Sequence, residues 1–296
     1  MKGFRITNTA VLYILTVLTG GTSWYAAKLQ LTDVPPIISL IYRFGGAAIL
    51  LLFIAIIVGN RLRYGWREHV GMGGLGALGL SIAFLLIYKS ASLMTTGLIA
   101  LIYSTVVILN PVNTYLFLKT PIPRITLIAA TIGITGIILV FLPELRGHSW
   151  HWEGVGYAFG ATLAFSLANI IAVKLHARNV AVIPMTGISM AYGASLLVIY
   201  ALLSHQEFTS DVTPVYLWSL IYLIVFPSVI GYTTYFAVIG RLGPERAAYT
   251  MLLVPLVALV ISAITENYRP TIWAIVGTSM ILAANYWAIT ARFRIQ

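Results

Sequence analysis

Arg43 is the residue of this sequence with the clearest chemical potential, because it is the one Lys or Arg placed well inside a long apolar stretch. A charged side chain at the centre of a membrane helix costs roughly 2.5 to 3.5 kcal/mol on insertion scales, so it faces a wet cavity or a partner rather than lipid. The guanidinium fork suits a substrate carboxylate or another anion. The alternative is structural: Arg43 binds backbone carbonyls or extends to the interface.

Tyrosines and asparagines within apolar stretches form a second group of candidates. Separations of three or four residues, as between Tyr232 and Tyr235, place two side chains on one helix face. Aromatic walls with a few amides would hold an amphipathic or aromatic metabolite; the alternative is packing between helices, or an interface anchor for Trp24. With Arg43, the predicted substrate-binding residues are Trp24, Tyr88, Tyr103, Asn110, Asn169, Tyr192, Tyr232 and Tyr235.

Two prolines and one glutamate complete the predicted site. Pro111 and Pro255 each remove a backbone hydrogen bond within an apolar stretch, which permits either a gating bend or a static kink. No Asp or Glu falls in the middle of such a stretch, which disfavours a carboxylate proton relay there. Glu266 is the remaining candidate for proton coupling, against a simpler role as a salt bridge or cap near Arg269.

Catalytic, metal and cofactor sites are not predicted. His148 and His151 could share a metal ion, but they lack further ligands nearby and read as solvated loop residues. The chain has no cysteine and no ATP-binding motif. We therefore expect no cofactor, no catalytic residues and no primary active transport by this chain alone.

The elements that must position these residues are membrane helices. Of 296 residues 59% are apolar and 9% are charged, whereas soluble chains carry roughly 25% charged residues. Apolar runs of roughly 17 to 25 residues, long enough to cross a bilayer as a helix, recur along the chain. The predicted spans are 7–27, 36–58, 71–88, 95–118, 125–142, 154–173, 180–203, 215–238, 246–265 and 271–290.

The distribution of Lys and Arg predicts the orientation. If the N-terminus is cytoplasmic, only Lys28, Lys89, Arg146 and Arg269 lie on the outer side, and thirteen others lie on the cytoplasmic side. Because cytoplasmic loops retain Lys and Arg, both termini are predicted to be cytoplasmic, in a cell inner membrane. The net charge of +10 therefore reflects topology. We expect no nucleic-acid partner, since no basic face or tract occurs.

An internal repeat divides the chain into residues 1–143 and 153–296. Sliding the sequence by 144 residues pairs Tyr88 with Tyr232, Pro111 with Pro255 and Gly133 with Gly277. With five helices in each half, the second half must be inverted relative to the first, a construction common in secondary transporters. The predicted fold is an all-α membrane protein of ten transmembrane helices, built as two inverted five-helix repeats. Five glycines are expected to allow close helix packing rather than to bind a ligand: Gly45, Gly46, Gly133, Gly193 and Gly277.

These residues resemble the drug/metabolite transporter superfamily, in particular its ten-helix EamA-type members. The segment Gly231 to Glu266 is similar to the family's second-half signature, with a Gly-Tyr helix, a Leu-Gly-Pro turn and a Pro in the ninth span. The first half is similar in Gly20 to Trp24, Arg43-Phe44 and Pro111. It departs at Lys119, where many members carry a Gly-Glu pair nearby, and at Leu167, where a Trp is frequent.

The resemblance implies transport, usually export, of a small metabolite such as an amino acid through a central cavity. Export or exchange by alternating access is the leading hypothesis, with a drug or nucleobase/nucleoside exporter as the first alternative. Two alternatives come from other functional classes: a polytopic membrane enzyme and a non-transporting receptor. The expected partners are a small-molecule substrate and the lipid bilayer, and both a monomer and an oligomer are compatible with the sequence.

Overall fold

The computed structural model describes residues 8–30, 34–93, 99, 102–140, 142, 151–265 and 271–290, and within these ranges the secondary structure is helical. The helices of the first half are α1 (Thr9–Lys28), α2 (Pro36–Ile57), α3 (Trp66–Ala91), α4 (Val106–Leu118) and α5 (Arg124–Val140). Those of the second half are α6 (Trp152–Ala177), α7 (Val182–Leu203), α8 (Pro214–Leu242), α9 (Pro244–Ala247), α10 (Thr250–Thr265) and α11 (Ile272–Thr290).

The helix ends follow from local residue chemistry. Asn8 caps α1, accepting a hydrogen bond from the Ala10 amide at 2.9 Å. Pro36 and Pro214 occupy the first turns of α2 and α8, where the missing amide hydrogen costs nothing. Gly243 has a φ of 84° between α8 and α9, a conformation that favours glycine.

Six of the described helices are long and apolar enough to cross a membrane: α1, α2, α3, α6, α7 and α8. The segments Val106–Leu118, Arg124–Val140 and Ile272–Ala284 are apolar but shorter. The prediction of a helical, multi-pass membrane protein is therefore confirmed. The count of ten crossings and the inversion of the second half stay predictions.

Two predicted spans differ from the observed helices. The ninth, 246–265, is divided: α9 ends at Ala247, a turn follows at Ala248 and Tyr249, and α10 begins at Thr250. The fourth, 95–118, contains a turn at Ser104 and Thr105 before α4. There the Thr105 hydroxyl donates to the Ile102 carbonyl at 2.6 Å, which offers the backbone an alternative to the helix.

Helices of the two halves pack against each other in pairs. α2 lies along α7, α5 along α11, and α1 along α10. A Cβ atom built on Gly193 would lie 3.1 Å from the Gly76 carbonyl oxygen, and one on Gly133 would lie 2.5 Å from the Leu252 side chain. The predicted close packing is confirmed at Gly46, Gly133, Gly193 and Gly277. It is wrong at Gly45, where a Cβ atom would meet nothing within 4 Å. The halves are thus interleaved, and a site between them can draw on both.

Two helices contain π-helical segments, at Ala77–Ile82 in α3 and Ile224–Gly231 in α8. Such segments are rare and are frequent at functional sites. Each lies in the third long helix of its half. The segment in α8 contains Pro227, which lacks an amide hydrogen.

Candidate functional site

Arg43 is buried on α2 and holds one hydrogen bond to the other half of the chain. Its side chain is 7% exposed, and its Nε donates to the Ser228 hydroxyl of α8 at 2.8 Å. Within the described residues, no carboxylate lies within 4.0 Å of the guanidinium, and its two terminal nitrogens have no acceptor. A buried cation with unused donors is a binding group for an anion.

Aromatic rings surround this guanidinium. Its central carbon lies 5.3 Å from the Phe44 ring centre and 5.6 Å from that of Phe84, within the range of cation–π attraction. Phe44 contacts Phe84 edge-on at 5.1 Å and Tyr232 at 6.4 Å between ring centres. Tyr88 packs against the same group of buried side chains. The predicted residues Arg43, Tyr88 and Tyr232 therefore come together.

A second group consists of amides and one hydroxyl shared by α4, α6 and α8. Asn169 Nδ2 donates to the Tyr235 hydroxyl at 2.9 Å and to Asn110 Oδ1 at 3.3 Å. Asn110 Nδ2 in turn donates to the Pro244 carbonyl at 2.8 Å. These side chains are almost fully buried, and Asn169 Oδ1 has no partner within the described residues. The network joins the two halves where α8 meets α9.

Aromatic rings in contact connect the two groups. Tyr103 lies 5.3 Å from Phe165, and Phe165 stacks on Tyr235 at 5.6 Å. Phe236 then lies 5.7 Å from Tyr235 and 5.9 Å from Tyr232, with all four distances measured between ring centres. These five rings form an aromatic wall that runs from the Asn169 network to Tyr232, close to Arg43: Tyr103, Phe165, Tyr235, Phe236 and Tyr232. Six of the predicted binding residues besides Arg43 line this region: Tyr88, Tyr103, Asn110, Asn169, Tyr232 and Tyr235.

The other predicted residues lie elsewhere or outside the described part. Tyr192 is 39% exposed and its hydroxyl lies 3.0 Å from His69 Nδ1, away from the aromatic wall. The Trp24 side chain and Glu266 lie outside the described residues. Pro111 and Pro255 are buried inside α4 and α10.

Metal ligands are not gathered in the part of the chain that the structure describes, where no three His, Cys, Asp or Glu side chains form a group. His148, one of the two histidines considered as ligands, lies outside that part. The absence of a metal site in the whole chain stays a prediction.

Ser228, Phe44 and Phe165 belong to the site but were not predicted from the sequence to bind substrate. Ser228 lies 144 residues after Phe84, the same shift that pairs Tyr88 with Tyr232. Phe84 and Tyr88 approach Arg43 or the rings around it from the first half, and Ser228 and Tyr232 approach from the second half. The 144-residue repeat could therefore have indicated Ser228 as a site residue, given that Arg43 lies between α3 and α8.

An apolar groove of about 580 Å³ lies apart from this region. It lies between α1 and the start of α8, where the Tyr222 hydroxyl donates to Thr22 at 2.6 Å. Among the predicted substrate-binding residues whose side chains the structure describes, none lines it. Its walls include Thr22, Tyr25, Leu29, Trp218, Tyr222 and Ile261.

Comparisons with known proteins cover nearly the whole chain. The model of the EamA-like transporter family matches residues 7–142 and 152–290. The protein PagO of Salmonella typhimurium is 22% identical over 98% of both chains. The uncharacterized transporter YvbV of Bacillus subtilis is 24% identical over 96% of this chain and 92% of its own.

Two further matches add a named activity and a fold. A Salmonella typhimurium protein described as a probable amino-acid metabolite efflux pump is 24% identical over 93% of this chain and 92% of its own. A solved crystal structure superposes with a TM-score of 0.78 at 15% identity, covering 95% of this chain and 96% of that one. At this identity the structural likeness establishes the fold alone.

Proposed function

Since this chain belongs to the EamA-like transporter family, we propose that it is a secondary transporter that exports or exchanges a small amphipathic metabolite bearing a carboxylate. An amino acid or a similar compound fits this class. The proposal includes alternating access of the site to the two sides of a cell inner membrane, with both chain termini in the cytoplasm. The substrate and the membrane lipids are the partners required.

The observation that carries the proposal is the guanidinium of Arg43, which is buried and has two terminal nitrogens without an acceptor among the described residues. A carboxylate can accept two parallel hydrogen bonds from such a fork, which gives both strength and orientation. Burial away from water strengthens the attraction between the opposite charges. A positively charged drug would instead be repelled at this position.

The aromatic wall supports an apolar portion in the substrate. Phe44, Phe84 and Tyr232 lie around the guanidinium, so a carboxylate held there would place the rest of the molecule against rings. Aromatic side chains provide large apolar contact areas, and the tyrosine hydroxyls can orient polar groups. These features favour an amphipathic acid over a nucleoside, which carries no carboxylate.

Alternating access is supported by the division of the site between the two matched segments. Arg43 and Tyr88 belong to residues 7–142, whereas Ser228, Tyr232 and Tyr235 belong to residues 152–290. In transporters built from inverted repeats, the substrate binds between the repeats and one repeat moves against the other. Pro111 and Pro255 are proposed as the bends of this movement and Glu266 as the group that couples protons to it. The relative described as an efflux pump supports the outward direction.

The experiment is counterflow of radiolabelled amino acids into proteoliposomes that contain the purified chain. We expect saturable uptake of at least one carboxylate-bearing substrate, and loss of at least about tenfold in affinity in Arg43→Gln, because a hydrogen-bonded charge is removed. The matched control is Arg178→Gln, since Arg178 is 45% exposed and pairs with Glu68 at the protein surface. Equal flux in Arg43→Gln and wild type would refute the role of Arg43.

Other outcomes would favour the alternative functions. Flux of nucleosides or quaternary amines, with none of any carboxylate, would replace the proposed substrate class. Binding without flux across a broad panel would indicate a receptor. Chemical conversion of a compound by the purified chain would indicate an enzyme.

A further inference from the structure

The hydroxyl of Ser228 is bonded differently from those of Ser219 and Thr234 in the same helix. It is fully buried, and its oxygen accepts the hydrogen bond from Arg43 Nε at 2.8 Å. Ser219 and Thr234 of α8 instead donate to carbonyls of their own helix, at 2.8 and 2.9 Å. No described residue accepts a hydrogen bond from Ser228. Its hydroxyl therefore serves the guanidinium rather than the helix backbone.

Fixing Nε determines the direction of the whole guanidinium. The group is planar, and its donors form a rigid fork. The rings of Phe44 and Phe84 flank it at 5.3 and 5.6 Å from the central carbon. Aromatic attraction of this kind sets the distance between a cation and a ring but only weakly sets rotation within the plane, whereas the bond to Ser228 restricts that rotation. The two terminal nitrogens are therefore presented at one defined edge.

The bond also connects two parts of the protein that alternating access would move. Arg43 lies in the first matched segment and Ser228 in the second. Ser228 sits within the π-helical segment Ile224–Gly231 of α8, directly after Pro227. A shift of α8 relative to α2 would separate the two atoms and release the fork.

We propose that Ser228 is the positioning residue that aims the Arg43 fork at the substrate carboxylate, so that carboxylate affinity depends on how the two halves are arranged. This inference rests on the proposed function, since it requires that Arg43 binds a carboxylate. It adds a role in selectivity: Ser228 strengthens the binding of acids and leaves the binding of amines unchanged.

The test compares two probes of nearly equal shape and opposite charge. 3-Phenylpropionate carries a carboxylate and no amine, and 2-phenylethylamine carries an amine and no carboxylate. Binding to the full chain in detergent is measured by calorimetric titration at neutral pH. We expect Ser228→Ala to weaken 3-phenylpropionate binding about tenfold, because a hydrogen bond to a charged group is lost. Binding of the amine should not change.

Matched variants separate positioning from general damage. Ser228→Thr keeps the hydroxyl and should bind 3-phenylpropionate like wild type. Ser228→Val, in which valine has the shape of threonine without the hydroxyl, should bind it as weakly as Ser228→Ala. Ser219→Ala removes a hydroxyl from the same helix, one that bonds only its own backbone, and should leave both probes unaffected. If Ser228→Ala does not fold, the Thr and Val pair still decides the question.

Each result supports or overturns the inference. Equal acid binding in Ser228→Ala and wild type overturns it, as does equal weakening of both probes or failure of Ser228→Thr to retain acid binding. If Arg43→Gln abolishes acid binding while the Ser228 variants do not affect it, the proposed function stands and only the positioning role fails. If the wild-type chain does not bind 3-phenylpropionate, the carboxylate part of the proposed function fails together with this inference.

Discussion

Replacing Gly136 with alanine tests a close packing contact between the two halves. A Cβ atom at this position would lie 2.7 Å from the Gly277 carbonyl oxygen, 2.9 Å from Ile281 Cγ1 and 3.1 Å from Met280 Cβ. Ordinary contacts begin near 3.4 Å, so α5 and α11 must separate by roughly 0.7 Å, and overpacking of this kind costs about 1 to 3 kcal/mol. Alanine also favours a helix over glycine by about 0.5 to 1 kcal/mol. The expected net loss of unfolding free energy thus lies between about 0 and 2.5 kcal/mol, with a midpoint near 1 kcal/mol.

The assay is thermal unfolding of the purified variants in one detergent, followed by tryptophan fluorescence. Gly136→Ala should melt below wild type. The control is Gly156→Ala on α6, where a Cβ would meet nothing within 4 Å, and this variant should melt at or above wild type. A Gly136→Ala protein as stable as Gly156→Ala would refute the packing argument, because helix preference alone would then account for both.

Two further predictions concern the polar network and the topology. Tyr235→Phe removes the hydroxyl that accepts a hydrogen bond from Asn169 at 2.9 Å, and it should lower the unfolding free energy by about 1 kcal/mol. The control Tyr200→Phe, at a half-exposed position, should melt like wild type. Equal melting temperatures of the two variants would contradict a stabilising role for the network. The chain has no cysteine, so Arg63→Cys and Glu207→Cys, 144 residues apart in exposed loops, can each be labelled with an impermeant maleimide. Inverted repeats place the two positions on opposite sides of the membrane. With cytoplasmic termini, Glu207→Cys should react in intact cells and Arg63→Cys only after lysis, and labelling of both from one side would exclude the inversion.

Much of the architecture could be predicted from the sequence, because the bilayer imposes a local rule. Each crossing helix must satisfy its own backbone and expose apolar side chains, so hydropathy finds it without knowledge of its neighbours. Eight predicted spans overlap a single observed helix, within the limits of the described residues. The exceptions are local events that hydropathy does not record: the Thr105 side-chain bond before α4 and the turn between α9 and α10.

The site was predicted in part, and the successes and failures have a physical reason. Arg43 stood out because its charge is costly in lipid wherever it points. Tyr192 and Tyr232 are both tyrosines within apolar stretches, and both were predicted to bind substrate. In the structure Tyr192 contacts His69, whereas Tyr232 contacts Phe44 beside Arg43. Gly45 and Gly136 are likewise indistinguishable by type, but only Gly136 meets a neighbouring backbone. Which side of a helix meets another helix is a property of the packed structure.

The sequence by itself determined that the chain is a membrane protein, most of the helical segments, the residues that resemble a transporter family, and the charge of Arg43 inside an apolar stretch. These follow from composition and from interactions between residues close in the chain. Only the tertiary structure decided that Arg43 meets Ser228 and that Asn110 meets Asn169, because these pairs are separated by 185 and 59 positions. Their contact depends on how α2, α4, α6 and α8 pack, and packing between helices in lipid is set by shape and polar contacts that a linear pattern does not contain.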